Sequence, residues 1–184
     1  RKAARHFVRY DADYYLILAG DPLYRMDYSE MVDAHIDRRA DITIAAKPVS
    51  AADAPSMNVL RFDREGQVVS FHAEPDAATL ADIGQSIPRG STFSTHAAAT
   101  PFIASMGIYL SSREALLAVL ESDASADFGR GVIQHAIDRF VVQAHLFRDY
   151  WADVGTVQSF YDANLMLTRP NAPFRFYDSR RPIY

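Results

Sequence analysis

The chain has 184 residues, which is enough for one domain of ordinary size with its own hydrophobic core. Its 23 acidic side chains outnumber the 19 basic ones, and this balance argues against a general nucleic-acid binder, which usually carries a basic surface. The absence of cysteine excludes disulfide scaffolds, zinc ribbons and thiolate nucleophiles. No apolar run approaches the roughly 20 residues that cross a bilayer, and nothing N-terminal resembles a signal peptide. We therefore expect a soluble, cytoplasmic protein that binds neither membrane nor nucleic acid.

The N-terminal half predicts strands that alternate with helices. An apolar run without alternation, at residues 14–19, predicts a strand that is buried on both faces of a sheet. A helix with Ser29 as its cap is expected next, and residues 41–49 predict a second strand. Such a strand–helix–strand unit indicates a parallel α/β sheet. Residues 59–62 and 67–72 flank a glycine-containing turn and predict a hairpin.

We predict a surface excursion, a long loop on the outside of the protein, at residues 76–100. After it, strands and helices again alternate in the C-terminal half. Its strands and helices are predicted, in chain order, at residues 103–110, 112–120, 131–140 and 142–147, and from Thr156 onwards. The last helix carries four apolar side chains that we expect to pack inward: Val157, Phe160, Tyr161 and Leu165. The proline-rich end of the chain predicts an extended linker.

Two aspartates follow predicted strands, at the positions where open α/β sheets bind ligands. Asp21 comes directly after the first strand and Gly20, and Asp153 follows the last strand. Two carboxylates from distant strand ends could chelate one Mg²⁺ ion that carries phosphate oxygens. The alternative is that each aspartate caps the turn or helix that follows it. The six histidines show no metal-ligand spacing, and neither a serine-hydrolase elbow nor a Walker pattern occurs.

Four blocks of the sequence together point to a known family. They are LILAGDPLYRMDY at 16–28, PFIASMGIYL at 101–110, DFG at 127–129 and DYWADVGTVQSFYDANLMLT at 149–168. In order and spacing, over nearly the whole chain, the sequence resembles glucose-1-phosphate adenylyltransferase, the ADP-glucose pyrophosphorylase of glycogen and starch synthesis. The resemblance implies an α/β fold with a mostly parallel, Rossmann-like sheet of the sugar nucleotidyltransferase (GT-A-like) type.

The resemblance also implies how the chain is organised. Residues 1–168 correspond to part of the nucleotidyltransferase domain, and residues 169–184 correspond to a linker toward a C-terminal β-helix domain. The family's glycine-rich loop, GxGTRLxPLT, cradles the phosphates of ATP. The alignment places that loop upstream of Arg1.

The activity implied by the resemblance is the reaction of ATP with glucose 1-phosphate to give ADP-glucose and pyrophosphate. The sugar phosphate attacks the α-phosphorus in line, and Mg²⁺ is the cofactor. The family is allosterically controlled and tetrameric, so we expect a homo- or hetero-tetramer for the full-length protein. A cytoplasmic location is implied, or a plastid one if the source is plant-like.

Individual residues match the family's motifs. By resemblance, Asp21 is the catalytic, metal-associated aspartate of the block GDHLYRMDY, and Asp153 is the second metal aspartate of the block YWxDVGT. The residues that match the glucose 1-phosphate pocket are Ser105, Tyr109, Asp127, Phe128 and Trp151. Packing in the core is the alternative for Phe128 and Trp151.

Three positions depart from the family within its substrate-binding blocks. The block FxEKP uses its lysine against the sugar phosphate, and the aligned residue here is Glu74. Asn58 replaces a glycine near the sugar, and Pro22 replaces a histidine. A carboxylate repels a phosphate dianion, and the lost attraction is worth about a few kcal/mol at a partly buried site unless Lys47 or an arginine substitutes.

These departures leave three hypotheses for the function. The chain belongs to a competent glucose-1-phosphate adenylyltransferase, to a catalytically weak or inactive regulatory paralogue of it, or to a related sugar nucleotidyltransferase that uses another nucleotide. Glu74, Asn58 and Pro22 favour the regulatory paralogue, whereas Asp21 and Asp153 favour the enzyme.

Overall fold

Strands and helices alternate along the chain, as the sequence predicts for an α/β protein. The computed structural model describes residues 4–63, 65–84, 99–122, 128–173 and 176–177. The strands are β1 Tyr14–Leu18, β2 Pro22–Tyr24, β3 Ile42–Val49, β4 Asn58–Phe62, β5 Val68–Ala73, β6 Phe102–Ser112, β7 Val142–Leu146 and β8 Trp151–Asp153. The helices are α1 Ala4–Phe7, α2 Tyr28–Asp37, α3 Ala77–Ile83, α4 Arg113–Ser122, α5 Gln134–Ile137 and α6 Val157–Leu167, with a 3-10 turn at Ala54–Ser56 and a π-helical segment at Phe128–Ile133.

Six strands form the central sheet in the order β5-β4-β6-β3-β7, and β1 pairs with β6 outside that path. Strands β1 and β3 run in the same direction, as the connection through α2 requires, but β6 lies between them and runs the opposite way. Only the pair β3 and β7 is parallel among the described strands. The α/β class is therefore confirmed, and the sheet mixes parallel with antiparallel pairing.

Strand β6 changes its neighbour along one of its two edges. On one edge β3 accompanies β6 from Phe102 to Ser111. On the other edge β1 pairs with residues 108–112 and β4 pairs with residues 103–104. At the same level the register of β6 with β3 shifts, because Met106 and Gly107 form a bulge in β6. A gap thus opens in the sheet at residues 105–107, where β1 ends and β4 begins.

Apolar side chains are buried on both faces of this sheet. Helices α4 and α5 cover one face, on which Ile103 and Tyr109 of β6 lie. Helix α2 covers part of the other face, with Ile108 and Leu110, and α3 covers the rest. Full burial of each large apolar side chain contributes roughly 1.5–3 kcal/mol to folding. The two layers of helices therefore hold β6, and the gap beside it, in the middle of the molecule.

Two expectations about burial were wrong. The apolar run of β1 alternates between exposed and half-buried side chains, because only the face that carries Ile17 packs against the core, and Tyr14, Leu16 and Leu18 lie on the exposed face. The apolar side chains of α6 also point to solvent: Val157 is 89% exposed and Phe160 58%, and Tyr161 and Leu165 are exposed as well. Helix α6 lies against the short strand β8 and buries only Ala163.

Helix starts were predicted more accurately than helix faces. Asp27, not Ser29, is the N-cap of α2, and its carboxylate accepts the Ser29 N–H at 3.0 Å. Ser112 caps α4 as expected, because its hydroxyl accepts the Ala115 N–H at 3.2 Å. The expected excursion at 76–100 begins with α3, and residues 85–98 lie outside the described residues. No helix in the described ranges is long and apolar enough to cross a membrane.

Candidate active site

A ribbon formed by β2 and β8 brings Asp21 and Asp153 together. Asp21 precedes β2, Asp153 ends β8, and Pro22 pairs with Asp153 in the ribbon. The Val154 N–H donates to the Asp21 carbonyl at 3.1 Å. The carboxylates meet beside Gly155: Asp153 Oδ1 lies 3.0 Å, and Asp21 Oδ2 3.4 Å, from the point that a Cβ atom of residue 155 would occupy. Two residues that are far apart in the chain thus direct oxygens at one point.

The chemistry of this pair fits a divalent cation. Asp153 Oδ1 accepts the Gly155 N–H at 2.7 Å, whereas no described residue donates a hydrogen bond to the Asp21 carboxylate. Two carboxylates that face one point can both supply oxygen ligands to a single divalent cation. No cluster of three or more His, Cys, Asp or Glu suited to a metal occurs among the described residues. The rest of the coordination would come from water and substrate oxygens, as is usual for Mg²⁺.

Ser105 and Tyr109 lie at the gap in the sheet. Both side chains are buried, and the Ser105 hydroxyl lies 3.4 Å from the Tyr109 hydroxyl. Ser105 Oγ also accepts the Gly107 N–H at 3.2 Å, within the bulge. The Gly107 carbonyl in turn accepts the Ala19 N–H at 3.0 Å, which ties the end of β1 to the bulge. Ser105 therefore lies close to the point where the chain leaves β1 toward Asp21.

Asn58 and Glu74 lie on the far side of the same gap. Asn58 begins β4, opposite Ala73 of β5, and the Glu74 N–H donates to the Met57 carbonyl at 3.0 Å. Because Val59 pairs with Ala104, Asn58 begins β4 at the level of Ser105. Of these two residues, Glu74 has a left-handed backbone, with a φ of 45°, whereas Asn58 is an ordinary strand residue. The structure thus brings Ser105 and Asn58 to neighbouring strands, with Glu74 just beyond them.

Glu74 is exposed and lines an open cavity of about 440 Å³ beside the end of β5. The polar side chains around this cavity are His72, Glu74, Asp76, Thr79 and Gln134, and no lysine or arginine is among the described residues that line it. Burial and the nearby Arg61 lower the pKa of His72, although Asp82 opposes them. The described part of the wall therefore offers carboxylates rather than cations.

Lys47 is not among the described residues that line the cavity beside Glu74. Its Nζ donates to the Asp149 carbonyl at 2.5 Å and lies 5.7 Å from the centre of the Phe147 ring. Lys47 pairs with Ala104, so its side chain is on the opposite face of the sheet from the side chain of Ser105. Burial lowers the pKa of Lys47, although the charge of Asp149 opposes this effect.

Trp151 lies on β8 opposite Tyr24 and packs against the core cluster under α2. Its Nε1 is buried and has no hydrogen-bond partner in the described part of the chain. Packing, the alternative considered for this residue, accounts for its position, while a contact with substrate stays a prediction. Asp127 lies outside the described residues, and of Phe128 only the backbone, at the start of the π-helical segment, is described.

A comparison with family models covers nearly the whole chain. The model of the nucleotidyl transferase family matches residues 2–169, a range that includes every predicted site residue. The chain belongs to the nucleotidyl transferase family. Members of this family act on nucleoside triphosphates and, in general, on sugar phosphates, so this nucleotidyl transferase carries a nucleotidyl group to an acceptor.

Sequence reasoning missed two residues that shape the site of this nucleotidyl transferase. Gly107 has a φ of 73°, and a Cβ atom there would lie 2.9 Å from the Ala19 Cβ. Gly155 leaves room for the two carboxylates. Both glycines lie inside the blocks that carry the resemblance, so their positions could have been noted. Their roles depend on contacts with residues distant in the sequence.

Proposed function

We propose that this nucleotidyl transferase transfers the adenylyl group of ATP to glucose 1-phosphate, giving ADP-glucose and pyrophosphate. The observation that carries the proposal is the meeting of Asp21 and Asp153 at one point, in a chain whose sequence blocks resemble glucose-1-phosphate adenylyltransferase. Cytoplasmic or plastid location, allosteric control and tetrameric assembly of the full-length protein belong to the same proposal, and the resemblance alone supports them.

The two aspartates serve the reaction by holding Mg²⁺. When bound, Mg²⁺ neutralises charge on the phosphate oxygens and lowers the barrier to attack at phosphorus. An oxygen of the sugar phosphate bonds to the α-phosphorus of ATP while the bond from that phosphorus to the β-phosphate oxygen breaks, and pyrophosphate leaves. The paired ribbon of β2 and β8 brings the backbones of Asp21 and Asp153 together before substrate arrives, and the Gly155 N–H orients the Asp153 carboxylate.

The acceptor is assigned to the gap in the sheet. Ser105 and Tyr109 bring hydroxyl groups to this gap, and Asn58 brings an amide at the start of β4. Hydroxyl and amide groups suit the hydroxyls of a sugar, and an aromatic face such as that of Trp151 suits its apolar side. Resemblance adds Asp127 and Phe128 to this sugar-binding group.

A second candidate function is a catalytically weak or inactive regulatory subunit of the same family. One observation favours it: Glu74 and Asp76 line the cavity where the family has a phosphate-binding lysine, and Lys47 is bound to Asp149 on the other face. A sugar nucleotidyltransferase that uses another nucleotide is the third possibility, and nucleotide choice in the assay below separates it from the first.

The test is pyrophosphate release from ATP and glucose 1-phosphate by the full-length protein and by its Glu74→Lys variant. We expect the variant to lower the KM for glucose 1-phosphate by about tenfold or more, because one substitution removes a repulsion and supplies an attraction. Glu65→Lys is the matched control, since it makes the same charge change at an exposed turn residue and should leave this KM unchanged.

The outcomes separate the candidates. A low KM in the unmodified protein that Glu74→Lys does not change would mean that another cation binds the phosphate, and would exclude the regulatory subunit. Release only with another nucleoside triphosphate would favour the third possibility. Asp21→Asn keeps the shape but removes a charge, and we expect it to abolish turnover; retained turnover would contradict the role of Asp21.

A further inference from the structure

Gly155 occupies the place where the two carboxylates of the site meet. A Cβ atom at this residue would lie 3.0 Å from Asp153 Oδ1 and 3.4 Å from Asp21 Oδ2. The first distance is shorter than an ordinary van der Waals contact between carbon and oxygen. Any side chain at residue 155 would therefore push at least one carboxylate away from its present position.

The backbone of Gly155 does not itself require glycine. Its φ lies outside the left-handed region, unlike the φ values of Gly66, Gly84 and Gly107. This φ is open to alanine as well as to glycine. The need for glycine at residue 155 thus comes from the two carboxylates and not from the turn.

The loop between β8 and α6 also binds the Asp21 main chain and the Asp153 carboxylate through its N–H groups. The Val154 N–H binds the Asp21 carbonyl at 3.1 Å, and the Gly155 N–H binds Asp153 Oδ1 at 2.7 Å. The second bond is to an ionised group and is therefore among the stronger ones. One residue, Gly155, accordingly orients Asp153 with its N–H and, by lacking a side chain, leaves room for the Asp153 carboxylate beside that of Asp21.

We propose that Gly155 is a positioning residue that sets the affinity of the Asp21 and Asp153 pair for a divalent cation. The inference rests on the proposed function, which assigns the cation to this pair. In this role Gly155 supplies no ligand atom and acts through the positions of the two carboxylates, which it contacts. Groups of this kind typically change metal affinity by about 10–100-fold when they are altered.

The chain offers a matched control on the other side of the same site. Gly20 directly precedes Asp21, and a Cβ atom there would have no heavy atom within 4 Å. Its φ is not in the left-handed region either. Gly20→Ala and Gly155→Ala therefore make the same chemical change next to the same pair of carboxylates, and only the second one meets them.

The experiment measures Mn²⁺ binding without nucleotide, by electron paramagnetic resonance of the free ion. We expect Gly155→Ala to bind Mn²⁺ about tenfold more weakly than the unmodified chain, with an unchanged urea midpoint, and Gly20→Ala to bind normally. Asp153→Asn removes one ligand charge and should weaken binding as well. These readouts do not depend on catalysis.

The three variants separate failure of this inference from failure of the proposed function. If Asp153→Asn leaves Mn²⁺ binding unchanged, the pair holds no cation, and both the metal site and the inference are wrong. If Asp153→Asn weakens binding but Gly155→Ala does not, only the inference is overturned. Equal losses of Mn²⁺ affinity in Gly20→Ala and Gly155→Ala would also overturn the inference, because they would indicate a general disturbance of the loops.

A loss of stability in Gly155→Ala is also informative. The Asp153 carboxylate is the nearest group to the added methyl, so Asp153→Ala in the same chain should restore the urea midpoint by removing that contact. A double variant that remains unstable would show that the methyl group clashes elsewhere. The inference would then be wrong.

Discussion

Gly107 has a φ of 73° within β6, where other residues have extended backbones. The left-handed conformation allows Met106 and Gly107 to form the bulge beside Ser105. The carbonyl of Gly107 also accepts the Ala19 N–H, and a Cβ atom would come within 2.9 Å of the Ala19 Cβ. Glycine is therefore required here for two reasons, backbone conformation and close approach.

We expect Gly107→Ala to lower the free energy of unfolding by about 2 kcal/mol or more, measured by urea denaturation, because strain and a steric clash add. Gly66→Ala is the control: Gly66 has a φ of 86°, but a Cβ atom there would meet nothing within 4 Å. That variant should lose only about 1 kcal/mol. Equal losses in the two variants would rule out a contribution from the contact with Ala19.

At the scale of elements, α6 depends on its N-terminal cap more than on burial. Thr156 Oγ1 accepts the Ser159 N–H at 3.0 Å, and Ser159 Oγ accepts the Thr156 N–H at 3.2 Å. This reciprocal pair is a capping box. Only Ala163 of α6 is buried, so packing against the described chain contributes little to this helix.

Thr156→Ala should therefore destabilise α6 by about 1 kcal/mol, as loss of an N-cap hydroxyl usually does. The measurement is amide hydrogen exchange in the first turn of α6, which should become faster in the variant. Thr156→Ser keeps the hydroxyl and should exchange like the unmodified protein. Unchanged exchange in Thr156→Ala would mean that contacts other than the cap hold this turn.

At the scale of the whole molecule, buried histidines link folding to pH. His35 is 1% exposed between α2 and β3, and its Nδ1 lies 2.7 Å from the Thr43 hydroxyl. Its Nε2 is buried without a partner among the described residues. Burial lowers the pKa of His35 below its usual 6.5, although Asp41 opposes this effect. Burial also lowers the pKa values of His72 and His145.

The fold therefore favours neutral histidines, and its stability should fall as the pH drops. The loss of stability begins near pH 6.5, where His35 of the unfolded chain binds a proton, and it stops below the lowered pKa of His35 in the folded state. We expect urea midpoints between about pH 8 and pH 5 to fall less steeply in His35→Asn, which does not titrate in this range. An unchanged slope in His35→Asn would contradict the assignment to His35.

Local patterns predicted most of the elements. The hairpin of β4 and β5, the strand β6, the Ser112 cap and the start of α6 at Thr156 all lie where the sequence predicts them. These features depend on residues within a few positions of one another. The faces of β1 and α6 were wrong because burial depends on which element lies opposite, and spacing within one helix or strand carries no such information.

The candidate site, too, was predicted from the sequence only in part. Asp21 and Asp153 stand out because each follows a predicted strand, and the resemblance pairs them. Their approach beside Gly155 depends on the register of β2 with β8. The position of Lys47 depends on the register of β3 with β6, which puts its side chain on the face opposite to Ser105. Register is a contact between distant segments, and a single sequence does not display it.

The sequence by itself determined the α/β class, the order of the elements and the resemblance to nucleotide-sugar chemistry, because each depends on local apolar patterns or contiguous motifs. Only the tertiary structure decided that β6 changes its neighbour at Ser105, that the gap formed there lies between the end of β1 and the start of β4, and that Gly155 lies against the Asp153 and Asp21 carboxylates. The physical reason is that strand order and register are selected by burial of the whole sheet, which no single segment specifies.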